Sequence, residues 1–268
     1  MMEKEKASLT LRLLNLASFT IMVSVNALAN ILPIGGINTG AVSDSYPNLF
    51  APAGLTFSIW GVIYVLLLLF CLYQLGMLGG NHALVKRIGP LFIMSSLANT
   101  AWIFSWNYRI IPLSLVLMTV LLVTLILTYL RISRAAGLSL FDKLFMRLPF
   151  SIYFGWITVA TIANVTTLLV DIGWNRFGLS ESFWTVVAMA AGAVIGVAAM
   201  LRNKDPFYGL VILWAYLGIL LKHLPSGAFA GRYEAVIIAV SILMTIVFAA
   251  VVMSAFRAAR VRTVTASA

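Results

Sequence analysis

Hydrophobic residues arrive along this chain in long unbroken blocks, separated by short polar stretches that carry nearly all of its charge. The blocks fall at 13–32, 53–75, 90–106, 112–130, 148–170, 183–201, 207–221 and 235–255. Most match the about 17 to 25 residues that a helix needs to cross a bilayer. They are continuous rather than alternating, and much longer than the strands of a membrane barrel, which excludes a β architecture. The pattern predicts an all-α integral membrane protein with about eight transmembrane helices.

Composition agrees. The chain is 62% hydrophobic and 10% charged, with a mean hydropathy of +1.03. Soluble domains run near half apolar and about a quarter charged. Charge placement then tests the helix count. With both termini on one side, that side holds Lys4, Lys6, Arg12, Lys86, Arg87, Arg131, Arg134, Lys143, Arg147, Arg202, Lys204, Arg257, Arg260 and Arg262. The other side holds only Arg109, Arg176, Lys222 and Arg232. Such asymmetry marks the richer side as cytoplasmic, so both termini are expected there, in a plasma (inner) membrane. The net charge of +10 then reflects topology and attraction to anionic lipid, and no nucleic-acid partner is expected.

Several absences narrow the function. The first ten residues carry charges of both signs and no small-residue cleavage site follows, so the first block is a helix rather than a signal peptide. Cys71 stands alone inside a span, which leaves no disulfide framework and no metal site. No Asp, Glu, Lys, Arg or His lies deep in any block, which argues against proton-coupled pumps and ion channels. His82 and His223 fall in or beside loops, which argues against axial haem ligation. Asp44, Asp171, Glu181 and Glu234 all fall on the non-cytoplasmic side, where solvating loops accounts for them.

The longest loop on that side, 33–52, holds Gly35, Gly36, Gly40, Pro47 and Pro52, and is expected to be too rich in turn formers for a helix. Pro52 then opens the second span near its start, where a missing amide costs nothing. Gly192 and Gly196, flanked by alanines, form a small-residue face that permits close helix approach, either within the chain or across a homodimer seam.

Candidate chemistry lies in the aromatic and amide residues. Trp60, Trp106, Trp174 and Trp184 lie near the outer ends of their spans, Trp102 sits one turn deeper than Trp106, and the opposite interface has no tryptophan. An aromatic belt at the headgroups is the plain reading, and the preferred one for Trp174 and Trp184. Trp156 and Trp214 sit well inside their spans, where an indole N–H needs an acceptor or a polar cavity. Asn26, Asn30, Asn99 and Asn164 are intramembrane amides, either cross-linking helices or fixing the polar edge of a mostly apolar ligand. Trp156, Ala160 and Asn164 recur every four residues, so they share one helical stripe.

Three motifs resemble the TspO/MBR family of tryptophan-rich sensory proteins, related to the mitochondrial translocator protein. Trp60-Gly-Val-Ile-Tyr64 after Pro52 resembles the proline-led start of that family's second helix. Asn99-Thr-Ala-Trp102 followed by Trp106 resembles its third helix, and Tyr153 through Trp156 and Ala160 to Asn164 resembles its fifth. Gly54 and Ile152 stand where the family often has a tryptophan and a proline, with Pro149 nearby instead. The resemblance covers residues 11–172 as a five-helix core, with 173–268 as a three-helix C-terminal extension. It implies a pocket lined by Trp60, Tyr64, Asn99, Trp102, Trp106, Tyr153, Trp156 and Asn164. Such a pocket takes a tetrapyrrole such as protoporphyrin IX, or a sterol-like molecule, with Arg109 the one nearby cation for a propionate.

The expected function is a membrane binding or sensory protein for a hydrophobic planar ligand. It has no required cofactor, its other partner is the lipid bilayer, and a homodimer stays open. Two other classes also stay open: a transporter of a hydrophobic small molecule, and an enzyme that degrades porphyrin in light. No residue pattern independently indicates catalysis.

Overall fold

The structure, a computed structural model, describes residues 7–76 and 82–266, with His82 and 259–266 described in backbone only. Lys4 and Lys6, and the side chains of His82, Arg260 and Arg262, lie outside the described residues. Among the described residues no strand occurs, and eight helical segments are long and apolar enough to cross a membrane. They run Leu9–Ile31, Gly54–Gln74, Ala83–Asn107, Ile111–Ser133, Leu140–Asp171, Glu181–Asn203, Pro206–His223 and Glu234–Ala258. Each overlays one apolar block of the sequence, so the all-helical membrane fold stands.

Two boundaries differ from expectation, each for a local reason. The third span belongs to a helix that begins at His82, and Pro90 lies inside it rather than at its start. Membrane helices tolerate an internal proline because neighbouring groups re-satisfy the freed backbone. Here Gly89 precedes it and closely faces α1 (Leu9–Ile31): a β-carbon at Gly89 would sit 3.0 Å from the Asn15 amide nitrogen. The loop 33–52, expected to lack helix, contains a short 3₁₀ turn, Ile34–Gly36, and the helix α2, Thr39–Asp44. The side chain of Asn38 caps α2, its oxygen accepting from the Ala41 amide at 2.8 Å, which outweighs the turn formers around it.

The later elements are α3 (Ile59–Gln74), α4 (His82–Asn107), α5 (Ile111–Ser133), α6 (Leu140–Asp142), α7 (Leu148–Asp171), α8 (Glu181–Asn203), α9 (Pro206–His223) and α10 (Glu234–Ala266). A 3₁₀ turn, Gly54–Ser58, leads into α3, and a π-helical turn, Lys143–Arg147, joins α6 to α7. The chain divides into two compact units. The first holds residues 1–45 and 59–157, and the second holds 46–58 and 158–268. The division differs from the 11–172 and 173–268 stretches of the family resemblance in two places: 46–58 groups with the later helices, and the split falls inside α7, after residue 157.

In the first unit α4 packs on α5 and α1, and α1 packs on α3. Phe70, Phe92 and Phe150 meet edge to face, with centroids 5.1 to 5.8 Å apart, an arrangement that aromatic quadrupoles favour. Two polar ties cross the unit. Asn15 donates to Gln74 at 2.7 Å, and the Tyr73 hydroxyl donates to Asp142 at 2.9 Å. Asp142 also completes a capping box with Ser139, so its carboxylate is held at a helix start instead of standing alone in hydrocarbon.

In the second unit α10 packs on α9 and α8. Gly192 and Gly196 serve the packing of α8 on α9: a β-carbon at Gly196 would press on Ile212 at 3.1 Å, and one at Gly192 on the Tyr216 hydroxyl at 2.8 Å. Tyr216 donates to the carbonyl of Met189, and Thr158 and Tyr208 share a hydrogen bond of 2.7 Å. The segment 46–58 is tied to α9 twice. The Ala53 amide donates to the Gly218 carbonyl at 3.0 Å, and the Trp214 indole donates to the Thr56 carbonyl at 2.9 Å. Gly218 is needed there, since a β-carbon would lie 2.9 Å from Thr56 Cβ and closer still to its hydroxyl.

Candidate functional site

The proline-led segment places Trp60 in the first turn of α3 and Tyr64 one turn later, so their rings fall on one helix face. They stack, with centroids 5.6 Å apart and planes 27° from parallel. Both are half-buried, whereas Tyr153 and Trp156 behind them are buried. Tyr153 meets Trp60 edge-on at 6.0 Å and Trp156 does so at 6.3 Å. The first half of α7 thus supplies two walls to a pair of rings carried by α3.

A chain of amides sets the position of Tyr153. Asn26 on α1 donates to Asn99 on α4 at 2.7 Å, and Asn99 donates to the Tyr153 hydroxyl at 3.1 Å. That hydroxyl points on to the Met22 sulfur at 4.0 Å. Asn26 also donates to the Met22 carbonyl at 2.9 Å, so its amide group serves both its own helix and α4. The chain is fully buried and uncharged, which suits a site inside hydrocarbon, where an unsatisfied polar group is costly.

Trp102 and Trp106 form a second stacked pair at 5.5 Å on α4. Both are buried, and the Trp106 indole donates to the Thr39 carbonyl of α2 at 3.1 Å. Thr39 in turn donates to Asn107 at 3.2 Å. Trp106 therefore pins the short helix to the end of α4. Arg109 follows in a tight turn with φ 59°, its side chain exposed. Asn164, two turns beyond Trp156 on α7, belongs to the second unit and is buried there. Of the candidate residues, the structure thus gathers Trp60, Tyr64, Tyr153 and Trp156 into one cluster with Asn99 behind it.

Sequence reasoning about single spans does not reach two features. The partners of the aromatic groups, Met22 and Thr39, carry no motif; only their intramembrane or helix-start positions mark them. The second unit also holds a cavity of about 470 Å³, lined by Phe50, Leu169, Trp174 and Trp184 among others. Those two tryptophans, which suit a headgroup belt, instead contact each other edge to face at 4.9 Å. A cluster of three or more adjacent aromatics around a tight turn is the signal that points to them.

Eight apolar helices with a half-buried aromatic face define a multi-pass helical membrane protein. The chain matches the TSPO-like protein family over residues 12–253 and belongs to it. The match runs on through the last three spans rather than ending after the fifth. No curated protein and no solved structure matches the chain. Family membership places it among membrane proteins with a general ligand-binding or sensory role.

Proposed function

We propose that this protein binds a planar hydrophobic ligand against the Trp60–Tyr64 pair, a tetrapyrrole such as protoporphyrin IX being the leading candidate and a sterol-like molecule the second. The observation that carries the reading is the half-buried stacked pair on α3, backed by the buried rings of Tyr153 and Trp156. A flat π-system gains most from offset stacking on such a face, with edge contacts from perpendicular rings. The polar groups nearby, Asn99 and the Tyr153 hydroxyl, are buried and bonded to each other, which leaves a mostly apolar face for the ligand. Both termini are read as cytoplasmic on the charge asymmetry, and the chemistry requires no cofactor.

The test is a titration of the purified full chain with protoporphyrin IX, following quenching of tryptophan fluorescence. Saturable quenching is expected, with affinity falling about tenfold in Trp60→Ala through lost stacking and apolar contact. A parallel fall is expected in Trp156→Phe, smaller because a ring remains. Saturable binding that both variants leave unchanged refutes this site. Absence of saturable binding refutes the tetrapyrrole assignment and turns the test to a sterol probe.

A further inference from the structure

We infer a second ligand site in the second unit, for an amphiphile with an apolar body and a single anionic head, such as a long-chain carboxylate. It shares no residue with the aromatic cluster on α3, and goes beyond the function proposed above.

The site is the cavity of about 470 Å³ formed by the end of α7, the first turns of α8 and the segment around Asn48. That volume lies within the about 300 to 1,000 Å³ of small-molecule pockets. Its lining is mostly apolar, with Asn48, Thr166 and Thr185 as uncharged polar members. Phe50, Ile162 and Leu169 supply apolar surface, Trp174 and Trp184 stand as walls, and the only charged lining residues are Arg176 and Glu181. An apolar chamber with a charged rim fits a molecule that is itself divided into tail and head. Asn48 does not compete for the head, because its oxygen already accepts from the Ala51 amide at 2.9 Å and its nitrogen donates to Tyr46.

The rim is built with some strain. Arg176 and Phe177 both adopt left-handed backbone, with φ of 58° and 52°, a conformation that non-glycine residues rarely adopt. Two contacts hold it: the Trp184 indole donates to the Arg176 carbonyl at 2.9 Å, and the Asn175 side chain accepts from the Phe177 amide at 3.0 Å. The same indole that forms a cavity wall therefore fixes the backbone that carries the arginine. Strain of this kind concentrates where a side chain must be aimed.

The head is assigned as an anion for three reasons. First, Arg176 meets Glu181 through a single contact of 4.0 Å between side chains that are 49% and 36% exposed. Such a pair holds its partners weakly. A ligand carboxylate or phosphate is able to take both arms of the guanidinium instead. Second, Glu181 follows the N-cap Ser180 in the first turn of α8, where the positive helix end holds a carboxylate without help from arginine. Third, α8 turns that same positive end toward the rim. A cationic head would meet Arg176 with like charge.

The test uses the full chain in lipid nanodiscs with 9,10-dibromostearic acid as probe, its methyl ester as the uncharged control, and quenching of tryptophan fluorescence as readout. The acid is expected to saturate, and Arg176→Gln to weaken it about tenfold through loss of charged hydrogen bonds, leaving the ester unchanged. Glu181→Gln is expected to tighten the acid several-fold by removing the competing carboxylate. Damage to the fold does not tighten binding, so this variant keeps the test decisive if Arg176→Gln unfolds. Ala188→Leu, which fills the cavity, is expected to abolish saturable quenching by both probes. Trp60→Phe is expected to leave the acid's affinity unaltered, which separates this site from the porphyrin reading. Equal, unsaturable quenching by acid and ester would mean bilayer partitioning only, and would overturn the site. Equal affinity for a brominated alkylammonium would overturn the anionic assignment, as would indifference of the acid to both Arg176 and Glu181.

Discussion

Asn99 offers the sharpest quantitative test of the buried amide chain. It makes two side-chain hydrogen bonds, accepting from Asn26 at 2.7 Å and donating to Tyr153 at 3.1 Å. Interhelical hydrogen bonds inside membranes average about 0.6 kcal/mol, with a ceiling near about 1.7. Losing both in Asn99→Ala should therefore cost about 1–2 kcal/mol, including a small void. The loss is not larger because Asn26 keeps its bond to the Met22 carbonyl, so no amide is stranded. Tyr153 keeps only the long contact to the Met22 sulfur. A double-mutant cycle of Asn99→Ala with Tyr153→Phe should then show a coupling of about 0.6 kcal/mol. The assay is unfolding in mixed micelles read by thiol labelling, since Cys71 is the one cysteine of the chain and is buried. Asn15→Ala serves as the control partner, lying eleven residues from Asn26 on α1, or about 16 Å along the helix, and bonding to Gln74 instead. A coupling no greater than that of the Asn99–Asn15 pair would refute the claim that the amide chain positions Tyr153.

Gly218→Ala should destabilise the protein by about 1–3 kcal/mol, because the added methyl meets Thr56 and Pro52 with no room to relax. Its effect is read as a fall in the thermal midpoint of intrinsic fluorescence, and an unchanged midpoint would contradict the close packing of 46–58 on α9. Asp142→Ala removes the acceptor for the Tyr73 hydroxyl and for Ser139, and should cost about 1–3 kcal/mol. In the Cys71 labelling assay that change should speed labelling, whereas Asp142→Asn should recover part of the loss.

Most of the membrane fold is legible in the sequence because lipid imposes a length and a polarity on every span, and both are local properties. The start of α4 is not, since Pro90 marks a helix start in water but is tolerated within a membrane helix. The helix α2 is not, because one asparagine cap outweighs a glycine-rich composition only when Trp106 and Asn107 are there to hold Thr39. At the aromatic site, the spacing of Trp60 and Tyr64 is readable as a shared helix face. That Tyr153 and Trp156 stand edge-on to Trp60 depends on how α7 meets α3, a long-range contact with no periodic trace. Trp174 and Trp184 show the same gap: their sequence positions fit a belt, and only the turn at Arg176 turns them into walls of a cavity.

The grouping of residues 46–58 with the later helices has a consequence for how the chain is made. Trp214 lies 158 residues after Thr56 in the chain. At synthesis rates of about 5–20 residues per second, that segment waits on the order of ten to thirty seconds for its partner. During that interval the Ala53 amide and the Thr56 carbonyl must be satisfied by water, lipid headgroups or insertion machinery. Folding of the second unit is therefore gated by the ribosome reaching α9, however quickly the first helices insert. A chain ended at residue 172 would keep five spans but leave 46–58 permanently in that waiting state.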